Sequence, residues 1–168
     1  MKKVLICVAC ILTSCLLLGL TLGHAQDSSH VAQKAETIGS MLEKKQYTFK
    51  AQSVTPMSGR FRQLTSEYDL QVSPDKVVSF LPYFGRAFNA VPGAGNGGLQ
   101  FTATNFTHTV QQGKKGKWII TLKFKDAADV NQMMLTAYDN GTASLQVTSN
   151  NRDPISFNGY IAAPDKRK

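Results

Sequence analysis

From Tyr47 to the end of the chain, apolar and polar residues alternate with a period of two, and nothing else in the sequence restricts the fold as strongly. Tyr47, Phe49 and Ala51 alternate with Thr48, Lys50 and Gln52, and Leu64, Ser66, Tyr68, Leu70 and Val72 share a face opposite Glu67, Asp69 and Gln71. The pattern returns at Trp118, Ile120, Leu122 and Phe124, at Ala143, Leu145 and Val147, and at Ile155 and Phe157. Successive side chains of a strand point to opposite faces, so these stretches predict antiparallel strands with one buried and one wet face. Turn chemistry separates them at Ser73-Pro74-Asp75, Gly113-Lys114-Lys115-Gly116 and Asn150-Asn151-Arg152-Asp153-Pro154. Asp139-Asn140-Gly141 predicts a tight type I′ hairpin, because Asn and Gly tolerate its positive φ angles. About eight strands result, spaced as in a meander that closes into a barrel or a sandwich. Phe101–Val110 departs from the rule: Asn105 lies on the Phe101–Ala103 face, whereas Phe106, His108 and Val110 continue the other. A bulge near Asn105 accounts for the switch.

The spacing ahead of the strands is helical. Val31, Ala35, Ile38 and Leu42 fall on one face, which predicts an amphipathic helix over about 29–46. Ser28 or Ser29 can cap its start, and Lys44-Lys45 suit the negative end of its dipole. Gly39 is unfavourable inside it.

Residues 1–25 read as an address. Lys2 and Lys3 precede an apolar run from Val4 to Leu22, then Gly23-His24-Ala25, the order of a secretory signal peptide cleaved after Ala25. Residues 26–168 then form a single domain, and the expected location is periplasmic or secreted. Leu12-Thr13-Ser14-Cys15 also resembles a lipobox, which would make the protein a lipoprotein anchored through Cys15, although Leu16-Leu17-Leu18 keeps the following residues apolar. Membrane attachment is expected only through lipidated Cys15 or an uncleaved leader, whose length approaches a bilayer span.

Removing the leader changes the composition. Of the chain's 168 residues, the three cysteines (Cys7, Cys10 and Cys15) all lie in it, so disulfides, thiolate nucleophiles and cysteine–metal sites are excluded for the cleaved form. Lys2 and Lys3 carry off two of the eight net positive charges. The remaining excess equals the basic residues of one turn (Lys114, Lys115, Lys117) and of the tail (Lys166, Arg167, Lys168). The domain between these fringes is formally neutral, which removes the argument for nucleic acid as a partner.

One run is more specific than a pattern. Leu81-Pro82-Tyr83-Phe84-Gly85-Arg86-Ala87-Phe88 is followed by a glycine-rich stretch, Trp118-Ile119-Ile120, Asn140-Gly141-Thr142-Ala143, Asn150-Asn151-Arg152 and Ile155-Ser156-Phe157-Asn158-Gly159. This order resembles domain-of-unknown-function family 4251, small exported proteins of Gram-negative bacteria, over about Tyr47 to Ile161. The resemblance implies an eight-stranded lipocalin-like barrel with an N-terminal helix. It implies no activity.

No catalytic constellation stands out, and a non-enzymatic protein without cofactor or metal is expected. His30 and His108 lack the neighbours of a zinc site. Neither His-Glu-x-x-His, Gly-x-Ser-x-Gly nor a Walker-type run occurs. Glu67 and Asp69 share a polar face and read as a solvated pair. Gly93–Gly98 leads into a strand instead of a helix N-terminus, the wrong context for a phosphate loop. The Leu81–Phe88 run concentrates aromatic area at a bent backbone. Tyr83, Phe84 and Phe88 with Arg86 are the candidate lip of a site for a small apolar or amphipathic ligand, Arg86 taking an anion. Alternatively these aromatics plug one barrel end, with Arg86 paired to a carboxylate or to carbonyls. A second class of function is docking to another envelope protein, which calls for an exposed apolar patch in place of a pocket.

Overall fold

The computed structural model describes residues 37–88, 98–127 and 129–164. The expected leader, the first turns of the expected helix, Gly93–Gly97 of the glycine-rich loop and the basic tail lie outside the described residues. All described residues fall within one compact unit, Lys34–Lys168.

A short helix, α1 (37–43), opens the described chain. It buries Ile38 and Leu42, as their four-residue spacing requires. It ends in paired reverse bonds, Gln46 N–H to the Met41 carbonyl (3.0 Å) and Lys45 N–H to the Leu42 carbonyl (3.3 Å), with Lys45 in the left-handed region at φ 55°. Gly39, unfavourable by propensity, is there for contact: a Cβ would come within 2.8 Å of the Trp118 ring.

Nine antiparallel strands follow: β1 (Tyr47–Pro56), β2 (Arg62–Val72), β3 (Val77–Leu81), β4 (Leu99–Ala103), β5 (Phe106–Gln112), β6 (Lys117–Phe124), β7 (Val130–Tyr138), β8 (Thr142–Ser149) and β9 (Ile155–Ala162). They make one sheet in the order β4-β3-β2-β1-β9-β8-β7-β6-β5, which curls into a nearly closed barrel. The inward residues of the alternation form the core: Tyr47, Phe49, Leu70, Leu122, Leu135, Leu145 and Phe157 are fully buried.

The expected count of eight becomes nine at the place where the alternation failed. The Phe101–Val110 stretch is one strand broken at Thr104-Asn105, and its halves pair with different neighbours, β4 with β3 and β5 with β6. The sheet's two outer strands are therefore consecutive in the chain, and this corner brings the barrel round on itself. Asp126 holds it: one carboxylate oxygen accepts the N–H of Thr104 (2.7 Å), the N–H of Asn105 (2.9 Å) and the Thr104 hydroxyl (3.2 Å). These bonds favour the ionised form and lower the Asp126 pKa. The corner is thus expected to tighten above the carboxylate's unfolded-state pKa and to loosen as pH falls through its depressed native one. In Asp126→Ala, both amides should show faster hydrogen exchange at neutral pH, with β1 and β9 unchanged; unaltered exchange at Thr104 and Asn105 would refute this role.

One turn differs from expectation in detail. The β7–β8 hairpin is where Asp139-Asn140-Gly141 places it, but Gly141 has positive φ (86°) and Asn140 does not. With Gly141 N–H on the Tyr138 carbonyl (2.8 Å), this is a three-residue loop ending in a left-handed glycine, not a type I′ turn. Consecutive left-handed residues occur instead at Lys115 (58°) and Gly116 (64°), between β5 and β6.

Inside the barrel, Tyr47 of β1 reaches His108 of β5, hydroxyl to Nε2 at 3.3 Å. Burial, reinforced by Lys45, lowers the His108 pKa to about 4. A histidine kept neutral in the native state and titrating at ~6.5 when unfolded stabilises the fold fully above that value. The contribution falls as pH drops from ~6.5 toward 4, where native His108 also charges. Discounted for partial exposure, the loss should be roughly 1–2 kcal/mol between pH 7 and 4. Urea midpoints measured across that range should show the slope in the native protein and lose it in His108→Gln; an equal slope in both would refute the assignment.

Candidate functional site

The expected lip residues lie where β3 leaves the sheet, and the local backbone explains their directions. After Leu81, the 82–88 segment bends across the β8–β9 turn and is stitched to it. Phe88 N–H donates to the Asn151 carbonyl (2.8 Å), Asp153 N–H donates to the Arg86 carbonyl (3.0 Å), and Ala87 pairs with Arg152 as an isolated bridge. Tyr83 is half-buried, its hydroxyl 2.7 Å from the Arg86 carbonyl and 3.0 Å from that of Asp153. Burial, with Asp153 beside it, raises the Tyr83 pKa, which keeps the hydroxyl a donor.

The arginine that pairs with a carboxylate at this end is Arg152. Its Nε lies 2.7 Å from Asp129 Oδ2, with both residues buried. Its guanidinium stands 5.0 Å from the centre of the Tyr83 ring, and Nη1 reaches the Gly98 carbonyl at 3.4 Å. Asp129 also fixes the turn: its carbonyl accepts Asn150 N–H (3.0 Å), and Oδ1 accepts the backbone and side-chain N–H groups of Asn151 (3.3 Å each). The carboxylate pairing envisaged for Arg86 is therefore made by Arg152 with Asp129, against the Tyr83 ring. Arg86 contributes its backbone carbonyl and leaves its side chain exposed.

Phe84 and Phe88 face outward. With Met57 and Phe61 of the β1–β2 turn they are exposed large apolar side chains: Met57 73%, Phe88 66%, Phe61 61% and Phe84 40%. Two contacts tie that turn to the β8–β9 turn, Met57 N–H to the Pro154 carbonyl and the Ser58 hydroxyl to Asp153 Oδ2, both 3.3 Å. A third joins it to the 82–88 segment, where the Arg62 guanidinium lies 5.0 Å from the centre of the Phe84 ring. Arg60, Arg62 and Arg86 are all exposed. One end of the barrel thus presents four large apolar side chains beside three cations, on loops held by hydrogen bonds.

The three segments that build this end converge from β1–β2, β3–β4 and β8–β9. Tyr83, Phe84, Arg86 and Phe88 stay together because they are contiguous; Met57, Phe61, Arg60 and Arg62 join them by topology. Sequence reasoning missed those four, and also Asp129 and Arg152. The pair of charges in Asn150–Pro154 and in the Asp126–Asp129 segment carried no spacing that could have linked them. Among the described residues, no three His, Cys, Asp or Glu side chains are grouped so as to hold a metal ion. No helix among them is long and apolar enough to cross a membrane.

Comparison with known proteins bears on the fold. The chain is similar to a crystal structure of a DUF4251 family protein from Bacteroides eggerthii, with a TM-score of 0.57 and 18% identity, over 79% of this chain and 89% of that one. No curated protein matches it. The model of the family described as Domain of unknown function (DUF4251) matches residues 29–161, from before α1 into β9. That span takes in the whole sheet save its last residue, and the chain belongs to the DUF4251 family.

Proposed function

We propose that the protein is an exported, non-enzymatic binding module that takes a small amphipathic anion at the aromatic–arginine end of its barrel. The supporting observation is the exposure of Met57, Phe61, Phe84 and Phe88 beside Arg60, Arg62 and Arg86 on hydrogen-bonded loops. Large apolar side chains held in water gain free energy when covered, about 25 cal/mol for each Å². Guanidinium groups meet a carboxylate or phosphate in a fork. An apolar tail lying on Phe84 and Phe88 with its anionic head at Arg86 satisfies both. The lipocalin-like character expected from the family resemblance belongs to this reading, as a barrel whose ligand sits at its mouth. The leader would deliver such a module to the periplasm.

Native mass spectrometry of protein purified from its own host should show a retained mass. Calorimetry with decyl phosphate should show binding that weakens with salt and falls on the order of tenfold in Phe84→Ser/Phe88→Ser. Absence of both a retained mass and decyl phosphate binding would refute the reading.

The exposure of Met57, Phe61, Phe84 and Phe88 on one end favours a second reading, in which another envelope protein covers the same surface. A photo-crosslinker in place of Phe88 should then capture one periplasmic protein in living cells, and Phe84→Ser should abolish capture. Unchanged capture would exclude this surface.

A further inference from the structure

A groove lies on the outer wall of the barrel, between β1 and β2. The β1–β2 register shifts between Ala51 and Ser53, and the partners of those residues on β2 are Tyr68 and Gln63. The four residues Leu64, Thr65, Ser66 and Glu67 are consequently left without a register partner on either β1 or β3. This excursion explains why Leu64 is only half-buried and Ser66 exposed, although their alternation places them with buried Leu70 and Val72. It opens a groove of about 230 Å³, lined by Lys50, Ala51, Gln52, Tyr160 and the whole Leu64–Tyr68 stretch.

The lining decides what can sit there. Lys50 is engaged by Glu67 (3.9 Å) and Asp69 (3.6 Å), so its charge is already compensated and the carboxylates are in excess. Asp69, expected to be solvated, is instead buried beneath this contact and accepts a bond from Gln71 Nε2 (3.3 Å). An anion therefore finds no uncommitted cation. A fatty chain finds too little apolar wall, with Leu64 and Ala51 its only aliphatic contributors. Neutral hydrogen-bonding groups remain, namely the Gln52 amide and the hydroxyls of Thr65, Ser66, Tyr68 and Tyr160, together with two aromatic rings. Tyr68 is held by stacking on Phe80, ring centres 5.8 Å apart at 23°, while Tyr160 of β9 is exposed.

Aromatic faces beside neutral donors and acceptors suit a ligand with C–H groups on one face and hydroxyls around its edge. The weakly positive C–H face of a pyranose lies against the negative face of a phenol ring. Its hydroxyls both donate and accept, as do the side chains of this groove. Drug-sized ligands occupy sites of about 300 Å³ and more, so the groove suits a single sugar ring. We infer that the β1–β2 groove binds one neutral pyranose unit, stacked on Tyr160 and hydrogen-bonded by Gln52, Thr65 and Ser66. Bulges recur beside binding sites because they re-aim side chains that a regular strand would commit to the core or the outer wall.

The test is an amide-shift titration of the ¹⁵N-labelled protein, as purified from its exporting host, with glucose, galactose, mannose and N-acetylglucosamine separately. At least one sugar should saturate, with a dissociation constant on the order of 1 mM, as expected for a ligand of about a dozen heavy atoms. The shifts should centre on Gln52, Thr65–Tyr68 and Tyr160 and leave Phe84–Phe88 unmoved. Tyr160→Ala and, as an independent variant in the excursion, Gln52→Ala should each weaken that sugar at least fivefold while keeping a native spectrum. No saturable shift with any of the four sugars, or shifts centred elsewhere, overturns the inference. So does a Tyr160→Ala variant that keeps a native spectrum and undiminished affinity.

Discussion

Arg152→Ala should lower the stability of the folded protein by about 3–5 kcal/mol, the range seen when one partner of a buried ion pair is removed. The substitution strands the Asp129 carboxylate, which is buried with it, and takes the cation away from the Tyr83 ring. The Asn150–Asn151 turn and the 82–88 segment hang on the same two residues, so damage should spread through that barrel end. Urea unfolding followed through Trp118, the chain's single tryptophan, should show the loss, and the melting temperature should fall on the order of 10 °C. The double variant Arg152→Met/Asp129→Leu should be more stable than Arg152→Ala, because it leaves no buried charge unpaired. A loss under about 1 kcal/mol for Arg152→Ala would show that the pair bears little of the fold's stability.

Gly159→Ala should cost roughly 3 kcal/mol or prevent folding. Gly159 of β9 lies opposite Ala51 of β1, where that strand's register shifts, and a Cβ on it would overlap the Lys50 carbonyl oxygen. The obstacle is backbone in the middle of the sheet, so no rotamer change relieves it, and β1 has to move away from β9. Asn158→Ala, one residue earlier with its side chain exposed, should stay within about 0.5 kcal/mol. A Gly159→Ala protein with native stability would mean that β1 shifts freely at this point.

The sheet could be read from the sequence because it is written in pairs of adjacent letters. Alternation at Tyr47–Ala51, Trp118–Phe124 and Ala143–Val147 assigns each residue its face, and the core residues of those strands follow directly. Even the strand break was visible, as the change of face at Asn105. What alternation cannot carry is pairing between distant positions. Whether the irregularity at Asn105 is a bulge in one strand or a handover between two depends on β3 and β6, which lie in separate parts of the chain. The four-residue excursion of β2 is hidden likewise, since Leu64–Val72 keeps its period of two while β1 goes out of step beside it. The aromatic run Tyr83–Phe88 declared itself as a segment worth attention. Its direction did not, because that depends on stitching to Asn151 and Asp153. Which arginine pairs with a carboxylate at this end is hidden for the same reason: Arg86 stands beside the aromatics in the chain, whereas Arg152 stands beside Tyr83 in space.

The corner at Thr104-Asn105 also bears on how the chain finds its fold. Every pairing in the sheet joins strands adjacent in sequence except one, β1 with β9, which brings Thr48 opposite Ala162. That single non-local pairing carries most of the chain-entropy cost of assembly, and the rest can form as successive hairpins. A circular permutant that joins β9 to β1 through α1 and is cut between Thr104 and Asn105 would be a meander from β5 to β4, all neighbours local. It would reach its sheet faster than the natural chain order does. It would also exchange a covalent corner for two free strand edges, with Asp126 left to hold them together.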